Sequence, residues 1–238
     1  MSLTPKAGSL RATSCERGPA ATPRVRRYAC IVLDADSTLA GIEGIDWLAA
    51  RRGPAVQRAV EGLTAQAMDG ALALEAVYAE RLRLIAPDAT DLAALAEAYF
   101  ASVAPGAHDA IAALRAAGVT VHVISGGLRP ALLPMTRSFG LTDDCVHAVE
   151  PVADAEGRYT SVAPSPLTTQ AGKEAVLREL ALPRPLLAVG DGATDLAMAR
   201  AADVFAAYIG FVRRDAVVAG AALVLDSFAA LVAHALSA

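Results

Sequence analysis

Five short apolar runs, each close to glycine or aspartate, alternate with amphipathic segments between residues 28 and 230. The runs cover residues 28–33, 119–124, 186–189, 204–207 and 222–225. Strands that are apolar on both faces are typical of a buried parallel sheet, and a 3.6-residue period between them indicates helices. That period predicts helices over residues 108–117, 130–139, 173–180 and 195–201. The pattern therefore predicts an α/β fold with a doubly wound parallel sheet.

Residues 42–103 interrupt this alternation with four consecutive helical patterns. They cover residues 43–52, 54–68, 72–85 and 91–103, and proline or glycine separates or ends them. The pattern predicts a helical-bundle cap over residues 42–104, inserted after the first strand of a core formed by residues 25–41 and 105–238. Residues 149–159 predict a small hairpin. Residues 1–24 have no hydrophobic period and predict a disordered leader.

Composition narrows the classes of protein to consider. The chain has 238 residues, 55% of them hydrophobic, which is enough to bury a core. No apolar run reaches the roughly 18 residues of a spanning helix, and no secretory signal is visible. A formal net charge of −4 argues against a surface for polyanions. We therefore expect a cytoplasmic protein with no membrane or nucleic-acid partner, although the basic residues of the leader leave an organellar transit peptide open.

Acidic and glycine-rich residues follow three of the predicted strands. Asp34 and Asp36 come after the first strand, Ser125-Gly126-Gly127 after the second, and the sequence GDGATD of residues 190–195 after the third. Because ligands of open parallel sheets bind at the carboxyl ends of the strands, these residues should converge on one edge. Carboxylates in such a cluster repel one another unless they share a cation, and an all-oxygen set favours Mg²⁺.

Magnesium in turn indicates a phosphate, and the sequence offers donors for one. These are the amides of Ser125-Gly126-Gly127, which we expect at a helix N-terminus, the Ser125 hydroxyl and Lys173. Lysine is rare here, since 19 of the 21 basic residues are arginine and the others are Lys6 and Lys173. A lysine kept at the start of a predicted helix indicates a site that needs a compact point charge.

Four short motifs occur in a specific order: DADST at 34–38, SGG at 125–127, GK at 172–173 and GDGATD at 190–195. In order and spacing they resemble the four sequential motifs of the haloacid dehalogenase (HAD) superfamily of phosphohydrolases. The resemblance covers residues 28–230. Within it, DSTLAGIEGID, AMDGALALEAVYAERLRLI and SGGLRPAL are similar to the phosphoserine phosphatase branch.

The resemblance implies a role for each matching residue. Asp34 would be the nucleophile that forms an aspartyl-phosphate, and Asp36 would protonate the leaving oxygen and then activate water. Mg²⁺ would be held by Asp34, the main-chain carbonyl of Asp36 and Asp191, with Asp195 as a further ligand or as the residue that orients a bound water. The phosphoryl group would be surrounded by Ser125, Gly126, Gly127, Lys173 and Thr194.

The resemblance also implies a substrate, a small phosphomonoester. Glu43 would receive the ammonium group of O-phospho-L-serine, Arg81 its carboxylate, and Met68 would cover the site, giving L-serine and phosphate in serine biosynthesis. Two segments depart from the family pattern: HAVEP at 147–151 lacks the usual asparagine, and AAYIGFVRR at 206–214 replaces GFGGN.

Alternatives remain open at this point. One is a HAD phosphatase or phosphotransferase acting on another small amino-alcohol phosphate. A phospho-accepting receiver domain uses similar residues, but the helical insertion and the second acid, Asp36, argue against it. The sequence also leaves open a homodimer.

Overall fold

Six parallel strands form the central sheet in a computed structural model that describes residues 25–68 and 74–237. They are β2 (Cys30–Leu33), β3 (Thr120–Leu128), β4 (Val146–Val149), β7 (Leu186–Gly190), β8 (Val204–Tyr208) and β9 (Leu223–Leu225). The strand order is β4-β3-β2-β7-β8-β9. Every residue of β2 is buried, as expected for a central strand covered on both faces. The α/β fold with a parallel sheet is confirmed.

Helices flank this sheet and form the insertion. They are α1 (Gly44–Arg51), α2 (Pro54–Met68), α3 (Leu74–Ile85), α4 (Ala89–Ala101), α5 (Ala107–Ala116), α6 (Arg129–Ser138), α7 (Gly172–Leu180), α8 (Ala193–Leu196), α9 (Asp215–Gly220) and α10 (Phe228–Ala235). The chain runs from β2 through β3 to β4 on one side of the sheet and from β7 through β8 to β9 on the other. The order therefore reverses between β2 and β7, the position where open sheets bind ligands.

Two short antiparallel pairs complete the strands. β1 (Val25–Arg26) pairs with β10 (Leu236–Ser237). β5 (Pro151–Ala153) pairs with β6 (Tyr159–Val162) and forms the predicted hairpin, a few residues further along the chain than expected.

The helical insertion, α1 to α4, joins the core through a neck of two adjacent chain segments, residues 39–41 and 102–104. Ala104 N donates to Leu39 O at 2.8 Å, and Gly41 N donates to Ser102 O at 2.8 Å. An antiparallel bridge between Ala40 and Val103 lies between these two bonds. The chain therefore leaves the core and returns to it at one point. The exact boundaries between the cap (residues 42–104) and the core (residues 25–41 and 105–238) stay a prediction.

Some sequence expectations need correction or cannot be tested. Ser125-Gly126-Gly127 does not form a turn at a helix N-terminus: it belongs to β3, and α6 begins only at Arg129. The register of β3 against β4 shifts between Ile124 and Leu128, so the strand continues through the glycines to a second pairing. The helix expected at 195–201 is short and continues as a 3₁₀ helix over Ala197–Arg200. Residues 1–24 and the predicted helix start at residue 72 lie outside the described residues.

No helix in the described part of the chain combines the length and the apolar character that crossing a membrane requires.

Candidate active site

The candidate site begins where β2 and β7 end. Leu33 and Val189 are partners in the parallel register, and Asp34 N donates to Val189 O at 3.0 Å. Asp34 therefore follows β2 beside the end of β7, from which the chain continues into Asp191. Strand pairing alone brings these two distant carboxylates to the same edge of the sheet.

Asp195, in the first turn of α8, completes a buried carboxylate cluster with Asp34 and Asp191. One carboxylate oxygen from each residue lies within 4.8 Å of the other two. Asp195 Oδ2 also accepts a hydrogen bond from Gly192 N at 2.9 Å, which fixes its orientation. Burial, followed by the charge of Asp195, raises the pKa of Asp34 well above its usual value.

Lys173 lies in the first turn of α7 and is the counter-charge of this cluster. Its Nζ donates to Asp34 Oδ1 at 2.5 Å and to Asp195 Oδ1 at 2.6 Å. Burial would lower the pKa of Lys173, but Asp195 and Asp34 outweigh it and raise the pKa above its usual value. The ammonium group therefore stays charged and holds two of the three carboxylates.

The cluster is chemically suited to a divalent cation. It presents three buried carboxylates against two cationic groups, the ammonium of Lys173 and the guanidinium of Arg214. Burying like charges without compensation is costly, and hard cations prefer oxygen ligands in this arrangement. Carboxylate oxygens within 4.8 Å of one another are close enough to bind one ion together.

Asp36 faces a different environment from Asp34. Its Oδ1 accepts hydrogen bonds from Tyr99 Oη at 2.6 Å and from Gly44 N at 3.1 Å. Burial, followed by the charge of Glu43, raises the pKa of Asp36 to about 7. Ser37 has a positive φ of 52°, which turns the chain sharply directly after this residue. Asp34 is therefore bound by a lysine, whereas Asp36, two residues further along the chain, is held by a phenol and a backbone amide.

The glycine-rich end of β3 and the start of α7 form the other wall of the site. Gly127 N donates to Ser125 Oγ at 2.9 Å, and Ser125 is fully buried. Gly172 begins α7 where the helix crosses another segment closely, because a Cβ at this position would lie 1.8 Å from the Pro166 carbonyl oxygen. This close approach carries Lys173 into the site.

Glu43 and Arg214 meet at the entrance to the cluster. Glu43 Oε1 accepts a hydrogen bond from Ser37 Oγ at 2.8 Å and lies 3.4 Å from Arg214 Nη2. The Arg214 guanidinium also forms an ion pair with Asp191. Arg214 thus links a predicted substrate-binding acid to a predicted metal ligand.

Arg81 extends from α3 and forms an ion pair with Asp46 of α1. Its side chain is largely buried, and its Nε has no hydrogen-bond partner among the described residues. Met68 ends α2, but its side chain lies outside the described part of the chain.

A cavity of about 220 Å³ brings most of the predicted site residues together. Its volume lies below the roughly 300 Å³ at which cavities for drug-sized ligands begin, so it suits a small substrate. The predicted residues in its wall are Asp34, Asp36, Glu43, Arg81, Gly126, Lys173, Asp191, Thr194 and Asp195. Ser125 and Gly127 support this wall without lining the cavity.

Sequence reasoning missed three residues of the site: Tyr78, Tyr99 and Arg214. Tyr78 and Arg214 line the cavity. Tyr78 precedes Arg81 by three residues on one helix, a spacing that places both on one face and could have indicated it. Arg214 ends the unusual segment 206–214, where its charge was a signal. Nothing in the sequence pattern pairs Tyr99 with Asp36.

The segment at 147–151 leads away from the site. His147 Nε2 lies 3.3 Å from His122 Nδ1, and the ring centroids are 5.6 Å apart. Both imidazoles line a separate cavity of about 370 Å³. Burial lowers the pKa of each histidine to about 4. The segment thus contributes a partly buried histidine, His147, that pairs with the buried His122.

Comparisons with known proteins identify the family of the chain. Residues 31–200 match the family model described as haloacid dehalogenase-like hydrolase. The chloroplastic phosphoserine phosphatase of Arabidopsis thaliana is 30% identical over 213 residues, 87% of this chain and 72% of that protein. The phosphoserine phosphatase of Bos taurus is 31% identical over 191 residues, 79% of this chain and 84% of that protein. A solved structure described as a phospho-aspartyl intermediate analogue of phosphoserine phosphatase is 26% identical, with a TM-score of 0.68 and coverage of 84% of this chain and 93% of that one. The chain therefore belongs to the haloacid dehalogenase-like hydrolases, as a phosphoserine phosphatase-like phosphoric monoester hydrolase.

Proposed function

We propose that the chain is a magnesium-dependent phosphatase that converts O-phospho-L-serine and water to L-serine and phosphate. The observation that carries the proposal is the presence, in one small cavity, of a lysine-bound carboxylate, Asp34, and of two opposite charges, Glu43 and Arg81. Phosphoserine carries a phosphate, an ammonium and a carboxylate group. The wall of this cavity offers a partner for each of them: the lysine-bound Asp34, Glu43 and Arg81. The reaction belongs to serine biosynthesis, and we propose a cytoplasmic location.

The proposed reaction has two steps with balanced proton transfers. A carboxylate oxygen of Asp34 attacks phosphorus, the bond from phosphorus to the serine oxygen breaks, and Asp36 gives a proton to that oxygen. Water then attacks the aspartyl-phosphate, Asp36 takes a proton from it, and phosphate and the free Asp34 carboxylate are released. The hydrogen bonds from Tyr99 and Gly44 to Oδ1 of Asp36 orient that carboxyl group and leave its other oxygen for the substrate.

Charge compensation supports the same reaction. Lys173 holds an Asp34 oxygen and is close enough to contact the transferring phosphoryl group. Asp34, the Asp36 main-chain carbonyl and Asp191 would hold Mg²⁺, with Asp195 beside them. When bound, the ion would supply positive charge that offsets the charge of the phosphoryl group.

One observation favours the second candidate, another small amino-alcohol phosphate as the substrate. Glu43 is already next to Arg214, and Arg81 is already paired with Asp46. A substrate ammonium and carboxylate must compete with these internal partners. A substrate that lacks one of the two charges would leave one internal pair intact.

A substrate panel tests the proposed function. Phosphate release is measured with and without Mg²⁺ on phosphoserine, phosphothreonine, phosphoethanolamine, glycerol phosphate and p-nitrophenyl phosphate. We expect the highest kcat/KM with phosphoserine and no turnover in EDTA. A preference for phosphoethanolamine would favour the second candidate. Phosphate transfer to an added alcohol in place of release would indicate a phosphotransferase.

Substitution of the two charged residues separates substrate recognition from chemistry. Deleting one partner of a partly buried charge pair costs about 2 to 5 kcal/mol. Glu43→Gln and Arg81→Ala should therefore lose most of their kcat/KM for phosphoserine, yet keep comparable activity on p-nitrophenyl phosphate, which carries neither charge. Equal losses on both substrates would contradict a role in specificity.

A further inference from the structure

Tyr78 makes a direct contact between the helical insertion and the glycine-rich end of β3. It lies on α3 with 6% of its surface exposed, and its hydroxyl donates to the main-chain carbonyl oxygen of Gly126 at 2.7 Å. Tyr78 and Gly126 both line the active-site cavity. A side chain of the insertion thus holds the backbone that faces the cavity.

The peptide between Gly126 and Gly127 is held at both ends. Its carbonyl oxygen accepts from Tyr78, and its N–H, on Gly127, donates to Ser125 Oγ at 2.9 Å. Hydrogen bonds in such a chain polarise one another, so a bond at the carbonyl strengthens the one that the N–H donates. Within the described part of the chain, Ser125 Oγ donates no hydrogen bond of its own, and its side chain supports the cavity wall from a fully buried position.

The composition of residues 125–127, at the end of β3, explains why an external anchor matters. Two consecutive glycines have no side chains to fix their backbone, and glycine is the most flexible residue in the unbound state. A Cβ at Gly127 would lie 3.2 Å from Ser125 Oγ and 3.2 Å from Tyr99 Oη, so this position has little room for a side chain. Burial, followed by the charge of Asp36, raises the pKa of Tyr78 above its usual value, so the phenol remains a donor at working pH.

We propose that Tyr78 is a positioning residue that ties helix α3 to residues 125–127 at the end of β3 and fixes the 126–127 peptide for binding of the phosphoryl group. The inference rests on the proposed function only for the placement of that group at Ser125-Gly126-Gly127. It assigns to the insertion a second task besides substrate recognition, since the helix that carries Arg81 also orders the phosphate side of the cavity.

The test is Tyr78→Phe, which removes the hydroxyl and keeps the ring. The measurements are the inhibition constant of inorganic phosphate and the KM and kcat for p-nitrophenyl phosphate and for phosphoserine. We expect the inhibition constant and both KM values to rise about threefold to tenfold, the range that corresponds to one hydrogen bond. Because residues 125–127 would bind the phosphoryl group both before and during the reaction, kcat should change less than KM.

Tyr28→Phe is the matched control. Tyr28 is also 6% exposed, and its hydroxyl makes a 2.9 Å hydrogen bond with His234 Nε2 at the other end of the sheet. We expect a similar loss of Tm in both variants but an unchanged phosphate inhibition constant in Tyr28→Phe. Equal inhibition constants for Tyr78→Phe and the unmodified enzyme would overturn the proposal, as would an equal rise in both variants.

A double-mutant cycle gives a second measurement. Tyr78→Phe and Ser125→Ala act through one peptide, so their combined effect on phosphate binding should be smaller than the product of the separate effects. Independent effects would contradict a coupling of Tyr78 and Ser125 through the 126–127 peptide. Phosphate binding and p-nitrophenyl phosphate hydrolysis report on residues 125–127 even if phosphoserine is not hydrolysed. Failure of the proposed substrate is therefore distinguishable from failure of this inference.

Discussion

Gly172→Ala should reduce catalysis through a backbone collision, without changing any charged group. The added Cβ would lie 1.8 Å from the Pro166 carbonyl oxygen and 2.4 Å from its carbon, whereas side-chain carbons essentially never come within 3.0 Å of such atoms. Either the start of α7 or the Pro166 segment must therefore move by about 1.2 Å, the difference between the 1.8 Å and 3.0 Å separations. Lys173 is the next residue along the chain, and its contacts with Asp34 and Asp195 are 2.5 Å and 2.6 Å long.

The expected magnitude follows from that displacement. A shift of about 1 Å in a catalytic group can reduce turnover by about 10²-fold. Overpacking costs about 1 to 3 kcal/mol in the free energy of unfolding. For a chain of this size each kcal/mol lowers Tm by about 2 to 4 °C. Gly172→Ala should therefore fold, melt at a lower temperature and lose most of its kcat.

The assay combines thermal melting with phosphate release from p-nitrophenyl phosphate at saturating Mg²⁺. Gly62→Ala is the matched control, because a Cβ at that helical position meets no described atom outside its own helix backbone within 4 Å. Alanine is favoured over glycine inside a helix by about 1 kcal/mol, so this control should be as stable as the unmodified protein or more stable. Unchanged kcat and Tm in Gly172→Ala would refute the reasoning.

Three further predictions concern the charged and titrating groups. Asp34→Asn should fold and abolish turnover, since an amide cannot form the acyl phosphate; retained Mg²⁺-dependent phosphate release would contradict the nucleophile assignment. Lys173→Arg should lose about 10²-fold or more in kcat, comparable with removal of a transition-state donor, and a near-neutral effect would place this charge outside the reaction. The pKa of about 4 for His122 and His147 lies below the unfolded value of about 6.5. The unfolded state therefore binds more protons between these values, and the histidine contribution to the free energy of unfolding, complete above pH 6.5, decreases as the pH falls from about 6.5 to about 4. Urea titrations at several pH values should show a shallower decrease for His147→Gln, and an unchanged slope would contradict it.

Local sequence pattern was sufficient for much of the fold. The apolar run over residues 28–33 predicts a strand buried on both faces, and the structure forms β2 over Cys30–Leu33 and buries all four of its residues. The same reasoning from local pattern was wrong for Ser125-Gly126-Gly127. They suggested a turn, whereas pairing with β4 extends β3 through them after a shift in register. Tertiary pairing decided that segment, and a local pattern cannot report it.

Some residues of the candidate site could likewise be predicted from local pattern, and others could not. Asp34 and Asp191 could be placed because parallel strands bring their carboxyl ends together. Tyr99 could not, since its contact with Asp36 joins residues 63 positions apart and depends on how α4 packs. Arg214 shows an intermediate case: its segment was recognised as unusual, but its ion pairs with Asp191 and Glu43 depend on the path of the loop.

The neck between residues 39–41 and 102–104 makes the helical insertion an exchangeable module. Because the chain leaves and re-enters the core at paired backbone segments, a replacement needs two ends held at the separation of neighbouring strands. It must also replace the hydrogen bonds that Tyr78 and Tyr99 donate to the site. Different helical bundles could be grafted onto this junction, and the sheet edge that carries Asp34 and Asp191 would keep its geometry. New selectivity could therefore arise by recombination at this junction, with no redesign of the sheet.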